Sequence, residues 1–127
     1  MLAENEIWRF DTPTPSVPQS GLRVALAHDY LSERGGAERV VVSLLRAFPD
    51  APLFTSVYDR DRYPDLAEVD VRASVLDHVA TFRRRHRVAL PLLPLAYGAL
   101  HVDADAVICS SSGWSHGIRT DAPKIVY

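Results

Sequence analysis

Short, continuous apolar runs separated by polar or helix-like segments recur along this chain, and they constrain its fold more than any other feature. The run at residues 24–27, VALA, is typical of a strand buried on both faces, as in a parallel sheet. Apolar residues then recur at helical spacing from Val40 to Phe48, and Pro49 ends that predicted helix. Further strands are predicted at residues 53–57, 69–73, 106–109 and 124–127.

This alternation predicts an α/β fold: one Rossmann-like open parallel sheet, in a single domain, with right-handed crossovers and the strand order 3-2-1-4-5. In that order the first and fourth strands are neighbours, and the winding direction reverses between them. Ligands of open α/β sheets bind outside the carboxyl ends of the strands at this switch point. We therefore expect the loops at residues 29–36 and 110–117 to face one cleft.

Length and composition define the class of protein. The 127 residues divide into a flexible, proline-containing leader at residues 1–21 and a Rossmann-like domain at residues 22–127. The net charge of −2 argues against a partner of the nucleic-acid class bound through the overall field. The chain has one cysteine and no evident signal peptide. Its longest apolar run, residues 88–100, is shorter than the roughly 20 residues of a membrane span. We therefore expect a cytoplasmic protein, either free or at the inner face of a membrane.

Two adjacent glycines, Gly35 and Gly36, stand where the first strand gives way to the helix. Unpaired N–H groups at a helix N-terminus bind phosphate or sugar hydroxyls, whereas the alternative is a turn that requires positive φ. The motifs GxGxxG and GxxxxGK[ST] are both absent, which argues against a dinucleotide site and a P-loop. His28 and Asp29 end the first strand and are predicted to line an acceptor cleft. For the histidine, the alternative to a hydrogen bond with a ligand is that it satisfies the loop backbone.

Hydroxyl groups and an imidazole follow the fourth strand, at Ser110, Ser111, Ser112 and His116. A Ser–His nucleophile pair needs an acid partner that the sequence does not identify, and the G-x-S-x-G elbow is absent. We therefore assign no catalytic residue. Ser111, Ser112 and His116 are predicted to contact a polar ligand, with helix capping by serine as the alternative.

Metal and thiol chemistry are not expected. The histidines show no metal-ligand spacing, and Asp103 and Asp105 form a D-x-D pattern that precedes a strand, at the wrong end of the sheet for a site. We interpret that pattern as a solvated turn. Cys109, inside an apolar run, is interpreted as a small buried hydrophobic residue.

A basic run made of Arg83, Arg84, Arg85 and Arg87, with His86 among them, precedes a proline-interrupted apolar segment. The plain interpretation is a solvated face. If a helix begins nearby, however, cations at its N-terminus are destabilising because they oppose the helix dipole. Arginines placed there despite that cost in stability would indicate a binding role. Anionic lipid headgroups at the inner face of a membrane, or a phosphorylated acceptor, are the candidate partners.

Four blocks together carry a family resemblance: residues 23–41 (RVALAHDYLSERGGAERVV), 48–59 (FPDAPLFTSVYD), 83–96 (RRRHRVALPLLPLA) and 105–120 (DAVICSSSGWSHGIRT). In this order and spacing they resemble the N-terminal, acceptor-side domain of family 4 glycosyltransferases of the GT-B fold. The resemblance covers about residues 22–127.

The resemblance implies two Rossmann-like domains facing a cleft, and retaining sugar transfer without a bound metal or other cofactor. The donor is a nucleotide-sugar, and the acceptor is a glycan or a lipid-linked molecule, often of the cell envelope. It also implies that the loop with Gly35 and Gly36 approaches the donor diphosphate and the transferred sugar.

This sequence departs from the family where the strand at residues 124–127 would continue into a C-H-T-P-like segment, whose histidine lies at the reaction centre. The donor domain with its paired glutamates is also missing. We therefore expect a chain truncated before that domain, inactive alone, and sticky or partnered, for example by a C-terminal domain in trans. The alternative is an inactive α/β binding module or remnant. A third class, a flavodoxin-like nucleotide-binding regulator, would need an acidic pocket and a phosphate loop, and the sequence shows neither.

Overall fold

The computed structural model describes residues 21–32, 35–111 and 113–126. Within this part of the chain, one sheet of parallel strands has the order β3-β2-β1-β4-β5. The strands are β1 (Val24–His28), β2 (Leu53–Thr55), β3 (Val71–Ala73), β4 (Ala106–Ser110) and β5 (Lys124–Val126). The predicted Rossmann-like α/β sheet and its strand order are confirmed. Residues 1–20 of the predicted leader lie outside the described part.

In the described ranges, the α-helices between the strands are α1 (Gly36–Ala47), α2 (Ala80–Arg84), α3 (His86–Ala89) and α4 (Leu93–Ala99). Single 3₁₀ turns occupy Pro64–Leu66, Val75–His78, Leu90–Leu92 and Ser115–Gly117. Helix α1 ends one residue before the predicted Phe48, whose N–H bonds the Leu44 carbonyl at 2.8 Å as the C-cap.

The second strand is shorter than the predicted residues 53–57, because serine side chains divert the backbone after Thr55. The Ser56 hydroxyl donates to the Asp29 carbonyl at 2.5 Å, and the Ser74 hydroxyl donates to the Ser56 carbonyl at 2.7 Å. The third strand begins at Val71 rather than at residue 69. Beyond Thr55 these hydroxyl groups therefore replace the ladder as hydrogen-bonding partners.

Strand β1 is buried on both faces, which explains its uninterrupted apolar sequence. On one face Leu26 packs in a cluster with Val41 and Leu45 of α1. On the other face Ala25 and Ala27 pack in a second cluster with residues of α3 and α4. That second cluster consists of Ala25, Ala27, Phe54, Val57, Leu76, Ala89, Leu93, Ala96, Tyr97, Val102, Val107, Cys109 and Ile118.

Cys109 is fully buried in the second cluster, so its interpretation as a small hydrophobic residue is confirmed. Burial raises the pKa of its thiol. At the amino end of the sheet, Asp105 accepts the backbone N–H of Arg23 at 2.8 Å, and the Arg23 guanidinium lies 3.4 Å from both Asp103 and Asp105. The D-x-D pattern is thus an exposed clamp between β1 and β4, at the opposite end of the sheet from the switch point.

No helix in the described part of the chain is long and apolar enough to cross a membrane. Strand β5 forms one edge of the sheet, and its Ile125 and Val126 side chains are each about half exposed.

Candidate functional site at the switch point of the sheet

The carboxyl ends of β1 and β4 lie side by side, because His28 pairs with Ser110 in the parallel register. The two loops that leave these residues then meet through one carboxylate. Asp29 Oδ1 accepts the backbone N–H of Ser115 at 2.6 Å and that of Trp114 at 3.1 Å, and it accepts the Ser111 hydroxyl at 3.3 Å. The convergence that the strand order predicts is therefore present.

Asp29 is only 1% exposed, and its Oδ1 accepts hydrogen bonds from the loop after β4. These bonds satisfy the backbone of that loop, and the prediction that Asp29 lines an acceptor cleft stays a prediction. Ionised oxygens accept N–H groups in stronger bonds than neutral ones do, so this carboxylate fixes the shape of the second loop.

His28 is 3% exposed and lies between two acceptors. Its Nδ1 is 3.2 Å from the Ser110 carbonyl oxygen, and its Nε2 is 3.4 Å from Oε1 of Glu38. A carbonyl oxygen only accepts, so Nδ1 is the donor in the first contact. The second contact joins the imidazole to the same carboxyl group that accepts the Gly35 N–H.

Glu38 is the partner that the sequence analysis missed. It is the third residue of α1, is 7% exposed, and its Oε2 accepts the Gly35 N–H at 2.8 Å, which is the return half of a capping box. Burial opposes its ionisation, but hydrogen bonds from His28 and from the N–H groups of Glu38 and Gly35 outweigh that effect and lower the Glu38 pKa. A glutamate three residues after a helix cap predicts the capping box from sequence alone. Its contact with His28 cannot be predicted in that way.

The two glycines differ in what surrounds them. Gly35 has extended backbone (φ −136°, ψ −165°), and within the described residues only Gly21 has positive φ. The alternative of a turn that requires positive φ is therefore wrong for Gly35 and Gly36. A Cβ on Gly35 would lie 3.0 Å from Glu38 Oε2, whereas one on Gly36 would meet no described atom within 4 Å.

Ser111 and His116 are brought together, with Ser111 Oγ 3.1 Å from His116 Nδ1. The same Oγ accepts the Gly113 N–H at 3.2 Å and lies beside Asp29. In a nucleophilic triad the acid orients the histidine, whereas here it contacts the serine. The arrangement is that of an ordered polar loop. Ser112 lies outside the described residues.

Tyr97 of α4, which was also not predicted from the sequence as a site residue, contacts the carboxyl end of β1. Its hydroxyl lies 2.5 Å from the carbonyl oxygens of both His28 and Asp29, and the side chain is fully buried. Burial, together with the Asp29 charge, raises the Tyr97 pKa far above its ordinary value, so the phenol stays a donor.

The basic run is not joined to these residues by any contact in the described part of the chain. Arg83 and Arg84 lie in the last turn of α2, where cations are favourable to the dipole, so the predicted dipole cost is wrong for them. Arg83 donates to the Asp77 carbonyl at 2.5 Å, which makes it a local structural contact. Arg84, Arg85 and Arg87 are exposed.

Among the described residues, no group of three or more His, Cys, Asp or Glu side chains is placed to hold a metal ion. The fold and the site define a Rossmann-like α/β domain with two ordered loops at its switch point. Comparison with protein-family models, with curated proteins and with solved structures finds no match for this chain. The family resemblance accordingly stays a prediction.

Proposed function

We propose that this domain is the acceptor-side part of a retaining glycosyltransferase, which transfers a sugar from a nucleotide-sugar to a glycan or a lipid-linked acceptor. The observation that carries the proposal is the open backbone at Gly36. This residue begins the twelve-residue helix α1 beside the switch point, without positive φ and with no described atom near its Cβ position. Neither strain nor packing explains a glycine there, whereas close approach of a ligand does.

Hydrogen bonding at the start of α1 supports the same proposal. The first N–H groups of a helix have no partner within the helix. Glu38 accepts the N–H of Gly35, and among the described residues no acceptor is assigned to the N–H groups of Gly36 and Ala37, which in the proposal bind ligand oxygens. A diphosphate or a sugar hydroxyl is suited to such a position, because the positive end of the helix dipole favours anions and acceptors.

The buried pair of His28 and Glu38 would hold this loop in its binding shape. Both side chains lie within 8% exposure, and one oxygen of Glu38 bonds the loop backbone while the other faces His28. In the proposal the pair is a positioning element. In this proposal the nucleotide-sugar is a substrate and the reaction requires no cofactor. Most contacts to the nucleotide-sugar would come from a donor domain in trans.

The second candidate is a non-catalytic α/β binding module. The burial of the titratable groups favours it, because Asp29, His28 and Glu38 are all less than 8% exposed and contact their own chain. A general acid or base needs access to the reacting group, and these three side chains have little.

Calorimetric titration with UDP-, GDP- and dTDP-hexoses, and with the free nucleoside diphosphates, tests the proposal. The wild type and the Gly36→Val variant are titrated in parallel. Sugar transfer is then measured with and without a separately added donor domain from a family 4 glycosyltransferase. Transfer that requires both polypeptides, and binding that Gly36→Val weakens without lowering Tm, would support the glycosyltransferase. Absence of both transfer and nucleotide-sugar binding would favour the binding module.

A further inference from the structure

The helical segment at residues 86–99 has one face against the sheet and one face outward. It runs through α3, the turn at Leu90–Leu92 and α4 without an intervening loop. The inner face buries Ala89, Leu93, Ala96 and Tyr97, at the spacing i, i+4, i+7 and i+8. These residues contribute to the core on the opposite side of the sheet from α1.

The outward face of this segment is apolar, which is unusual for a helix at a protein surface. Val88 is 53% exposed, Leu92 38% and Leu95 74%, and they recur at i, i+4 and i+7. Residues 88–99 contain no charged side chain, and their one polar side chain, Tyr97, points inward. Pro91, Pro94, Gly98 and Ala99 are the other exposed residues.

Exposed cations border this apolar face. Arg84, Arg85 and Arg87 lie immediately before it, and Arg87 belongs to the same helical segment. None of the three forms an ion pair with another residue in the described part of the chain. The nearby Asp77 is instead paired with Arg60 at 3.2 Å. A cluster of positive charge thus adjoins a stripe of aliphatic side chains.

The chemistry of the face distinguishes between partners. A protein interface carries about one hydrogen bond per 100–200 Å², so its surface usually offers polar groups along its length. This face offers aliphatic side chains and proline rings, and its arginines stand at one end only. A lipid surface matches that division, since phosphates contact the arginines while the acyl boundary accepts the aliphatic stripe.

We propose that the outward face of residues 86–99, with Arg84 and Arg85, docks on the surface of a membrane that contains anionic lipid. The inference does not depend on the proposed glycosyltransferase activity, because it concerns side chains that point outward, whereas Tyr97, which contacts the end of β1, points inward.

Flotation with phosphatidylcholine vesicles, with and without phosphatidylglycerol, tests this docking. We expect binding to the anionic vesicles only, weakened by salt. A double substitution, Arg84→Gln with Arg87→Gln, should lower partitioning roughly 25-fold, because each basic residue near the surface contributes about a factor of five. Leu95→Gln should lower it several-fold by removing apolar contact.

Matched controls lie on α1, across the sheet: Arg39→Gln with Arg46→Gln removes equal charge, and Val40→Gln changes a residue that is 40% exposed. These variants should bind vesicles like the wild type. Equal binding to neutral vesicles, equal losses in test and control variants, or no binding would overturn the proposal. Self-association without lipid that Leu95→Gln abolishes would also overturn it and assign the face to a second copy.

Discussion

The Asp29 carboxylate lies 2.6 Å from the backbone N–H of Ser115, in the shortest of the bonds by which its Oδ1 joins the two loops of the switch point. The residues are 86 positions apart in sequence. Because Asp29 directly follows β1, the shape of the second loop is fixed by the central strand.

Asp29→Asn tests this anchor. The substitution keeps the size of the side chain but removes the negative charge that strengthens the bonds which Oδ1 accepts from the N–H groups of Trp114 and Ser115. We expect a loss of about 2–3 kcal/mol in the free energy of unfolding. Urea denaturation of the variant measures it, with the exposed Asp61→Asn as the control. A loss no greater than that of the control would mean that the loop keeps its shape without the carboxylate.

The contact of Glu38 with His28 predicts a pH dependence. The Glu38 pKa is held below its ordinary 4.5, so the stabilisation is fully present above that value and is lost as pH falls through the lower folded value. Glu38→Gln should cost about 1–3 kcal/mol at neutral pH. The difference between the two proteins should shrink below about pH 4.5.

Urea unfolding between neutral and acidic pH measures that difference, and Glu68→Gln, at an exposed position, is the matched control. A difference that stays constant across the whole pH range would contradict the assignment of an ionised, hydrogen-bonded Glu38.

The adjacent glycines should respond differently to alanine. Gly36→Ala adds a Cβ in open space and removes backbone freedom from the unfolded chain, so stability should be unchanged or rise by up to about 1 kcal/mol. Gly35→Ala places a Cβ 3.0 Å from the Glu38 carboxylate, which must move from its bond, at a cost of about 1 kcal/mol. Thermal unfolding compares them, and equal destabilisation would mean that α1 itself requires both glycines.

Tyr97→Phe removes one hydroxyl beneath two carbonyl oxygens. The carbonyls of His28 and Asp29 lose a buried donor, so we expect a loss of about 1–2 kcal/mol. Tyr58→Phe is the control, because its hydroxyl donates to the single Tyr63 carbonyl at 3.4 Å. Similar losses in the two variants would show that the Tyr97 hydroxyl contributes nothing specific to the end of β1.

The strand order was predictable from sequence because burial on both faces leaves a local signature, as in residues 24–27. The meeting of the two loops then follows from topology, since the carboxyl ends of parallel strands share one edge. The contacts of His28 with Glu38 and of Tyr97 with Asp29 were not predictable. They depend on how far α1 and α4 stand from the sheet, and residue spacing does not record that distance.

The basic run spans a helix boundary that the sequence did not reveal. A helix does begin within the run, at His86, but α2 ends just before it at Arg84, and the backbone turns at Arg85 (φ −131°, ψ 73°) between the two helices. Arginine is a good helix former, so the composition of the run gave no sign of an interruption. The direction of the dipole at Arg83 and Arg84 is therefore opposite to the expected one.

Leu95 and Tyr97 lie in the same short helix, one outward and one bonded to the end of β1. With a rise of 1.5 Å per residue, about 3 Å of helix axis separates them. The angle between the switch-point loops and any plane on which α4 rests is therefore set by less than one helical turn. The link consists of one short helix and the hydrogen bonds of Tyr97, so docking of this face would also fix the direction in which those loops point.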